Sequence, residues 1–272
     1  MNFYEQTQLA EIQKWETQVP NALSRLAGFA FKPAGWLVGK VVPPKAIEGA
    51  LTACYGMAGV LADKNDIMRD GGVSEISELK TKDLQLSDKL ANEVHNWANG
   101  AATVEGGIAG VAGLPGLAVD IPALITMGFR VVQKIGLCYG YECVNDADRQ
   151  FVLQIFSAAS ANTMEEKTLA IVTLQRINVA IAKTAWKKMT ENAARNAIGI
   201  DAGIIAVKAL AKKLGINITK RKAMQSIPYI GAGVGAATNL SFINDIAWAA
   251  RRSFQKRWLV DNKKIEVKET ND

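Results

Sequence analysis

A 24-residue stretch from Gly106 to Phe129 limits the folds open to this chain, because its only charged residue is Asp120. As one straight helix it would be about 36 Å long, enough to cross a hydrocarbon core of about 30 Å. Its nine Leu, Ile, Val and Phe residues favour insertion by roughly 3 to 5 kcal/mol, and a central Asp opposes it by about 2.5 to 3.5 kcal/mol. The net insertion energy is therefore close to zero.

Two prolines divide this stretch. Pro115 and Pro122 each lack a backbone N–H donor, and the GLPG around Pro115 combines strong helix breakers. We therefore predict two helices joined by a tight bend, a glycine-rich helical hairpin. A second glycine-rich segment, GAGVGA, begins at Gly231, and both segments carry a GxxxG spacing that allows close helix contact. Such segments either pack tightly in a protein core or dip partly into a bilayer.

The rest of the chain has helical patterns. Leu9, Ile12, Trp15 and Val19 recur at steps of three and four, which predicts an amphipathic first helix ending near Pro20. The sequence TMEE from Thr163 has the pattern of a capping box at a helix start. Strand and hairpin patterns are weak. We predict an all-α fold, a single compact multi-helix domain over residues 1–260, followed by a frayed polar tail over 261–272.

Four polar residues lie in apolar or glycine-rich surroundings and are candidates for a buried polar site: Glu105, Asp120, Asn239 and Asp245. Acid–base chemistry needs titratable groups in a desolvated pocket, which gives these residues a catalytic interpretation. We favour the alternative that each binds a helix end. Asp120 in particular precedes IPAL, where it is predicted to cap a helix that has Pro122 in its first turn.

Charge is distributed unevenly along the chain. Residues 1–182 contain 15 Lys and Arg against 19 Asp and Glu, whereas residues 183–272 contain 17 against 7, which places a net charge of +10 in the C-terminal third. A basic region of this kind indicates contact with an anionic membrane surface or is an ordinary solvated helical face. Trp248 and Trp258 are candidates for a membrane interface. The candidate cations are Lys212, Lys213, Lys220, Arg221, Lys222, Arg251 and Arg252.

Sequence motifs give little support for catalysis. His95 is the only histidine, is predicted to lie on a helix surface, and has no GxSxG nucleophile to serve. The three cysteines form no CxxC pair, which suits a reducing compartment. GAGVGA is not GxGxxG, so we predict no nucleotide site, and we predict no cofactor, no metal site and no specific nucleic acid. The N-terminus has no secretory-signal pattern, so we expect a cytoplasmic protein peripheral to the inner membrane.

The order of several segments resembles the EcsC family, which is named for a bacterial protein associated with an ABC transporter. These segments are an early helix with Tyr4, Glu5, Trp15 and Glu16, then SDKLANEVHNWANGAATVEGGIAGVAGLPGLAVDIPALI, IGLCYGYEC, and finally IPYIGAGVGAATNLSFINDIAWAARRSFQKRWL. The resemblance covers most of residues 1–260. It implies a largely helical bacterial protein that is cytosolic or membrane-associated, and it carries no catalytic residues across.

These observations favour a non-catalytic helical protein at the cytosolic face of a bacterial membrane, with lipid contact through its basic C-terminal region. Two alternatives stay open. One is a soluble adaptor or regulatory partner of a membrane transporter. The other is an enzyme that acts on a lipid-like substrate through Asp120 or Glu105.

Overall fold

The structure, a computed structural model, describes residues 1–20, 44–57, 62–111, 113–190, 210 and 231–266, and only the backbone of 44, 46, 104–111, 113–120, 182–190 and 231–236. The described part is all α-helical apart from its turns and loops, which confirms the predicted fold class. Its α-helices are α1 Phe3–Thr17, α2 Pro44–Gly56, α3 Asn65–Gly71, α4 Leu84–Val111, α5 Gly113–Cys138, α6 Asp146–Ser160, α7 Met164–Thr190 and α8 Gly231–Asp261, with a 3-10 helix at Ile76–Thr81.

Local sequence signals set several helix ends. Asn2 and Glu5 form a reciprocal capping box at the start of α1, and the Asn145 side chain accepts from the Asp148 N–H at the start of α6. At the end of α5, Gly140 takes a φ of 88°, which glycine adopts without steric cost. The Gly140 and Tyr141 N–H groups then bond back to the carbonyls of Leu137 and Gly136, as in a Schellman motif.

The predicted cap before α7 is present with one change of partner. The Thr163 hydroxyl oxygen accepts from the Glu166 N–H at 3.2 Å, as the TMEE pattern predicts. The Glu166 carboxylate accepts from the N–H of Asn162 at 2.9 Å, one residue before the expected position. Both bonds satisfy N–H groups at the helix start, so the signal located the beginning of α7 correctly.

The long helix α8 lies at the centre and packs against α1, α4, α5, α6 and α7. Phe254 of α8 is fully buried and meets the rings of Tyr139, Tyr141 and Phe151 at centroid distances between 5.4 and 6.3 Å. Offset and edge-on aromatic contacts of this kind add to the free energy gained from burial. The core therefore holds α5 and α6 against one face of α8.

Helix α4 runs antiparallel to both α5 and α8 in a common register. Along α4 and α8, Asp88 pairs with Gln255, Asn92 with Arg251, and His95 with Asn244, so positions rise on one helix as they fall on the other. On α4 and α5, Arg130 lies over the Trp97 ring while Val111 and Gly113 are two residues apart in sequence. The end of α4 and the starts of α5 and α8 therefore lie at the same end of this three-helix unit.

The prediction that Asp120 caps a helix is wrong. Asp120 lies inside α5, seven residues after its start at Gly113, and Pro122 is an interior proline of the same helix. Helix α5 begins at Gly113 instead, so Pro115 occupies its first turn, where an N–H has no intrahelical partner to lose. The chain is thus divided between two helices here, although the glycine-rich hairpin stays a prediction because residue 112 lies outside the described residues.

The first residues of the predicted tail are held against the helical body. The Asn262 side chain donates to the Lys80 carbonyl at 2.9 Å, and Lys264 lies 3.3 Å from Glu5. Ile265 packs on the core. Residues 267–272 lie outside the described part of the chain.

Candidate functional site

Helix register brings two predicted polar residues to one level. Glu105 lies six residues before the end of α4, and Asp120 lies seven residues after the start of α5, on neighbouring antiparallel helices. Asn239 is buried on α8 near the same level, whereas Asp245 is half-buried and further along that helix. Since only the backbone of Glu105 and Asp120 is described, their assignment to one buried polar site stays a prediction.

The three helices share an end without charge. Residues 106–111 of α4, 113–119 of α5 and 231–244 of α8 contain no Asp, Glu, Lys or Arg, and we call these segments together the uncharged end. The contact of Cys54 with Thr126, 3.7 Å between Sγ and Oγ1, brings the last turn of α2 close to this level of α5. Met57, directly after α2, is 45% exposed.

A cluster of one aromatic and two cationic residues lies below the uncharged end, with Glu105 and Asp120 between the cluster and that end. Trp97 is 44% exposed, and the charged groups of Arg130 and Lys134 lie 5.3 and 5.9 Å from its ring centroid. We call these three residues the Trp97 cluster. Lys134 also pairs with Asp66 at 2.5 Å, so this cation is held on two sides. A tryptophan beside cations is the composition found where helices meet a membrane interface.

His95 and three of the C-terminal residues predicted to meet an external surface, Arg251, Arg252 and Trp258, lie inside the protein. His95 is 4% exposed, because its ring packs edge-on against Trp248 and its Nε2 lies 3.0 Å from the Asn244 oxygen. Burial lowers the pKa of His95, as does nearby Arg251, although the contact with Asn244 opposes this shift. The placement of His95 on a helix surface is therefore wrong.

Three residues of α8 that were predicted to meet a membrane or an anionic surface are buried as well. Arg251 and Arg252 are 9% and 8% exposed, and Trp258 is 3% exposed. The Arg251 guanidinium donates to Asn92 at 3.0 Å and stacks on the Trp248 ring. Contacts of α8 with the neighbouring helices bury these side chains, so their burial argues against the predicted contact with an anionic surface.

Asp88 is the centre of a buried polar network that the sequence did not reveal. The hydroxyls of Tyr4 and Tyr139 donate to its two carboxylate oxygens at 2.7 and 2.5 Å, and Gln255 donates at 2.7 Å. Burial raises the pKa of both tyrosine hydroxyls, and the hydrogen bond to Asp88 raises it further. The neutral phenols therefore remain donors, and the network ties α1, α4, α5 and α8 together.

Lys167 is a second buried charged group, and the charge of Asp245 acts on it. Its ammonium donates to the carbonyls of Trp15 and, at 2.7 Å, of Gln18, which lie at the end of α1. Burial lowers the pKa of Lys167 to about 8, although Asp245 and Glu16 favour its charged form. An amine with this pKa is partly neutral near physiological pH.

The remaining predicted surface cations lie outside the described residues: Lys212, Lys213, Lys220, Arg221 and Lys222. Their contact with an anionic surface stays a prediction. By length and composition, one helical segment of the described chain, Ile121–Cys138, is long and apolar enough to cross a membrane. Because 72% of that segment is buried inside the protein, its apolar character is largely explained by the core.

Comparison with known proteins gives the family. The family model described as the EcsC protein family matches residues 6–259, which extend from α1 almost to the end of α8. The chain belongs to the EcsC protein family. This confirms the resemblance found in the order of the sequence segments.

This EcsC-family chain is also similar to the "Uncharacterized protein YdbA" of Bacillus subtilis (strain 168), with 25% identity over 206 residues. The similarity covers 71% of this chain and 66% of YdbA, slightly less than two thirds of that relative. No solved structure matches the chain.

Sequence reasoning missed the Trp97 cluster and Lys167 for different reasons. Trp97 lies nine residues before Gly106, so a tryptophan beside an uncharged stretch was a usable signal. Lys167 offered no such signal, because its partners are carbonyls 149 and 152 residues away. Only the packing of α7 against α1 brings them together.

Proposed function

We propose that this EcsC-family protein is a non-catalytic, membrane-associated protein that works at the cytosolic face of a bacterial membrane. The uncharged end enters one leaflet, and the Trp97 cluster lies at the level of the lipid headgroups. The observation that carries this proposal is the position of an exposed tryptophan and two cations below three helix ends that have no charge.

Helix lengths favour partial insertion. Fourteen residues separate Trp97 from Val111, which corresponds to about 21 Å of helix. Half of a hydrocarbon core is about 15 Å thick, and the whole core is about 30 Å. With Trp97 at the interface and α4 perpendicular to the membrane, the end of α4 therefore reaches past the bilayer midplane but does not cross the membrane. Glu105 of α4 and Asp120 of α5 enter the hydrocarbon region with it.

The basic sequence before α8 supports the same orientation. Lys220, Arg221 and Lys222 end nine residues before Gly231. A chain of nine residues spans at most about 30 to 32 Å, so these cations are within reach of headgroups around the uncharged end. Near an anionic leaflet each contributes about 1 kcal/mol of attraction, which salt screens.

Vesicle flotation tests the proposal. The protein is expected to float with vesicles that contain anionic phospholipid at low salt, and to bind less at high salt or to neutral vesicles. Trp97→Ala is expected to weaken binding about fivefold. The variant loses roughly 1 kcal/mol of the binding free energy that comes from burying the exposed part of the ring in lipid. Phe3→Ala, which removes an 85% exposed aromatic residue from α1, is the matched control and is expected to change nothing.

Two results would contradict the proposal. Protein that stays in the soluble fraction on anionic vesicles at low salt excludes membrane association, and equal losses for Trp97→Ala and Phe3→Ala exclude the assigned orientation. Crosslinking in intact cells addresses the adaptor alternative, since an adaptor gives one dominant protein partner.

A further inference from the structure

A groove lies between the end of α1, the end of α6, the start of α7 and the middle of α8. Its volume is about 700 Å³, within the range of roughly 300 to 1,000 Å³ that small-molecule sites occupy. Three small, buried residues, Ala158, Ala159 and Ala161, line one side. Four aromatic and aliphatic residues also line the groove, together with polar and charged ones: Trp15, Trp248, Val19 and Pro20.

Charged side chains also line this groove. Glu11 lies 3.6 Å from Arg252 and 3.7 Å from Lys14, and the charge of Asp245 acts on Lys167. All five residues line the groove, so three cations face two carboxylates. The local net charge is +1, and a ligand with one negative charge would balance it.

The cations differ in how firmly they are held. The Arg252 side chain is 10% exposed and fixed by hydrogen bonds at 2.9 Å to Gln8 and Gln255, whereas the Lys14 side chain is 75% exposed. One wall of the groove therefore has a pre-organised guanidinium, and the rim has a solvated ammonium. Pre-organised groups lose little entropy when they bind a ligand.

We propose that this groove binds an amphipathic anion, a molecule with one phosphate or carboxylate head and an apolar chain. The head lies between Lys14, Lys167 and Arg252, and the chain lies on the alanine wall between Trp15 and Trp248. Two sources supply this chemistry, a membrane lipid and a free soluble amphiphile. The site does not depend on membrane insertion, because its lining lies in the charged body of the protein.

The groove also lies close to the proposed interface. Trp248 contacts His95 at 5.2 Å between ring centroids, and His95 precedes Trp97 by two residues on α4. If the protein binds membranes as proposed, a lipid headgroup therefore comes to the level of the groove. A lipid source rests on the proposed function, and a soluble source does not.

Binding of decyl phosphate below its micelle concentration, without vesicles, tests the groove itself. Calorimetry and tryptophan fluorescence are expected to show saturable binding, since two tryptophans line the site. Inorganic phosphate, decanol and decyltrimethylammonium are expected to bind at least tenfold more weakly, because each lacks the head, the chain or the negative charge. Equal binding of any of the three overturns the proposal.

Two variants with matched controls locate the site. Ala159→Leu fills the groove and is expected to weaken decyl phosphate binding at least tenfold, whereas Ala10→Leu on the exposed side of α1 changes nothing. Lys14→Glu is expected to weaken it at least threefold, and Lys45→Glu on α2 is its control. Lys14 is exposed, so this second variant decides the matter if Ala159→Leu does not fold.

The groove is excluded as the binding site if Ala159→Leu folds and both variants bind decyl phosphate as the native protein does. If Ala159→Leu does not fold, unchanged binding by Lys14→Glu excludes it. Saturable binding of decyl phosphate by a protein that does not float with vesicles keeps the groove and removes the membrane proposal. Flotation with vesicles without decyl phosphate binding keeps the membrane proposal and removes the groove as a binding site. Extraction of a bound lipid only from vesicle-treated protein identifies the membrane as the source.

Discussion

Two interior residues show how single positions affect this protein: one is a histidine whose protonation depends on burial, and the other is a glycine at a close contact between helices. His95 is kept in a dry site between α4 and α8, facing Asn244, Trp248 and Arg251. Gly128 occupies a site where α5 meets α6 and α8 too closely for any side chain. Both residues look ordinary in the sequence, and both give predictions about stability.

The pKa of His95 predicts an acid-sensitive contribution to folding. Because burial lowers this pKa in the folded protein, the unfolded chain binds the proton more readily as the pH falls below about 6.5. We expect the free energy of unfolding to fall more steeply between pH 7.5 and 5.5 in the native protein than in His95→Gln, measured by urea titration. Parallel slopes for the two proteins would contradict the assigned pKa direction.

Gly128 is expected to tolerate no side chain. A Cβ there would lie 2.6 Å from Phe156 Cζ and 2.7 Å from Ile246 Cδ1. Gly128→Ala should therefore lower the free energy of unfolding by about 1 to 3 kcal/mol through overpacking. Gly100→Ala on α4 is the control, since nothing lies within 4 Å of its Cβ position. It should raise stability by about 0.5 to 1 kcal/mol, and equal effects at both sites would refute the close approach.

Between elements, α8 is held to α6 by a buried ion pair. Arg257 Nη1 lies 2.7 Å from Asp148 Oδ1, with side-chain exposures of 6% and 10%. The guanidinium also lies 4.1 Å from the Tyr141 ring centroid. Breaking a buried pair leaves a charge without compensation, which costs more than the pair itself contributes to stability.

Arg257→Met should lower the free energy of unfolding by about 3 to 5 kcal/mol, because Asp148 then remains buried without its cation. Arg257→Met combined with Asp148→Asn should lose less than Arg257→Met alone. Chemical denaturation of both proteins measures the difference. Losses that simply add would show that the two side chains act independently.

At the scale of the whole molecule, three helices place an uncharged end above a charged body. The Gly106 to Phe129 stretch suggests a membrane span by length, yet its two halves belong to antiparallel helices that pack against α8. The proposed function places this uncharged end in lipid and the rest of the molecule in water. Its orientation at a membrane is therefore measurable at chosen positions.

A fluorophore on Gly100→Cys should report insertion. Gly100 is exposed on α4, one turn beyond Trp97, and a side chain there has open space. An NBD label on the introduced thiol is expected to shift to the blue and brighten with anionic vesicles, and a label on Phe3→Cys is expected to stay in water. Cys54, Cys138 and Cys143 are buried, and burial raises the pKa of the latter two thiols, so they compete poorly for the label. Equal spectra at both positions would exclude the orientation.

Much of the architecture was predictable because its signals are local. Periodic apolar residues, the Thr163 cap and the helix-breaking region near Pro115 specify helices within a few residues of their own positions. The first residue of α5 was less predictable, since either Pro115 or Pro122 could have occupied a first helical turn. That ambiguity led to the wrong role for Asp120.

Sites are harder to predict from sequence than helices because their members are distant along the chain. Asp88 meets residues 84 positions earlier and 167 positions later. Arg252 read as a surface cation, and its burial depends on the partners that α1 and α8 supply. Such pairings follow no fixed spacing along the sequence, so they could not be predicted from it.

The sequence by itself determined the helical class, the family, the uneven charge and the uncharged segments that follow Gly106 and Gly231, since these depend on composition and local order alone. The tertiary structure decided which cations are buried, how Trp97 meets Arg130, and how Lys167 meets the end of α1. The physical reason is that burial, charge pairing and pKa shifts depend on neighbours in space, and the packing of the helices sets those neighbours.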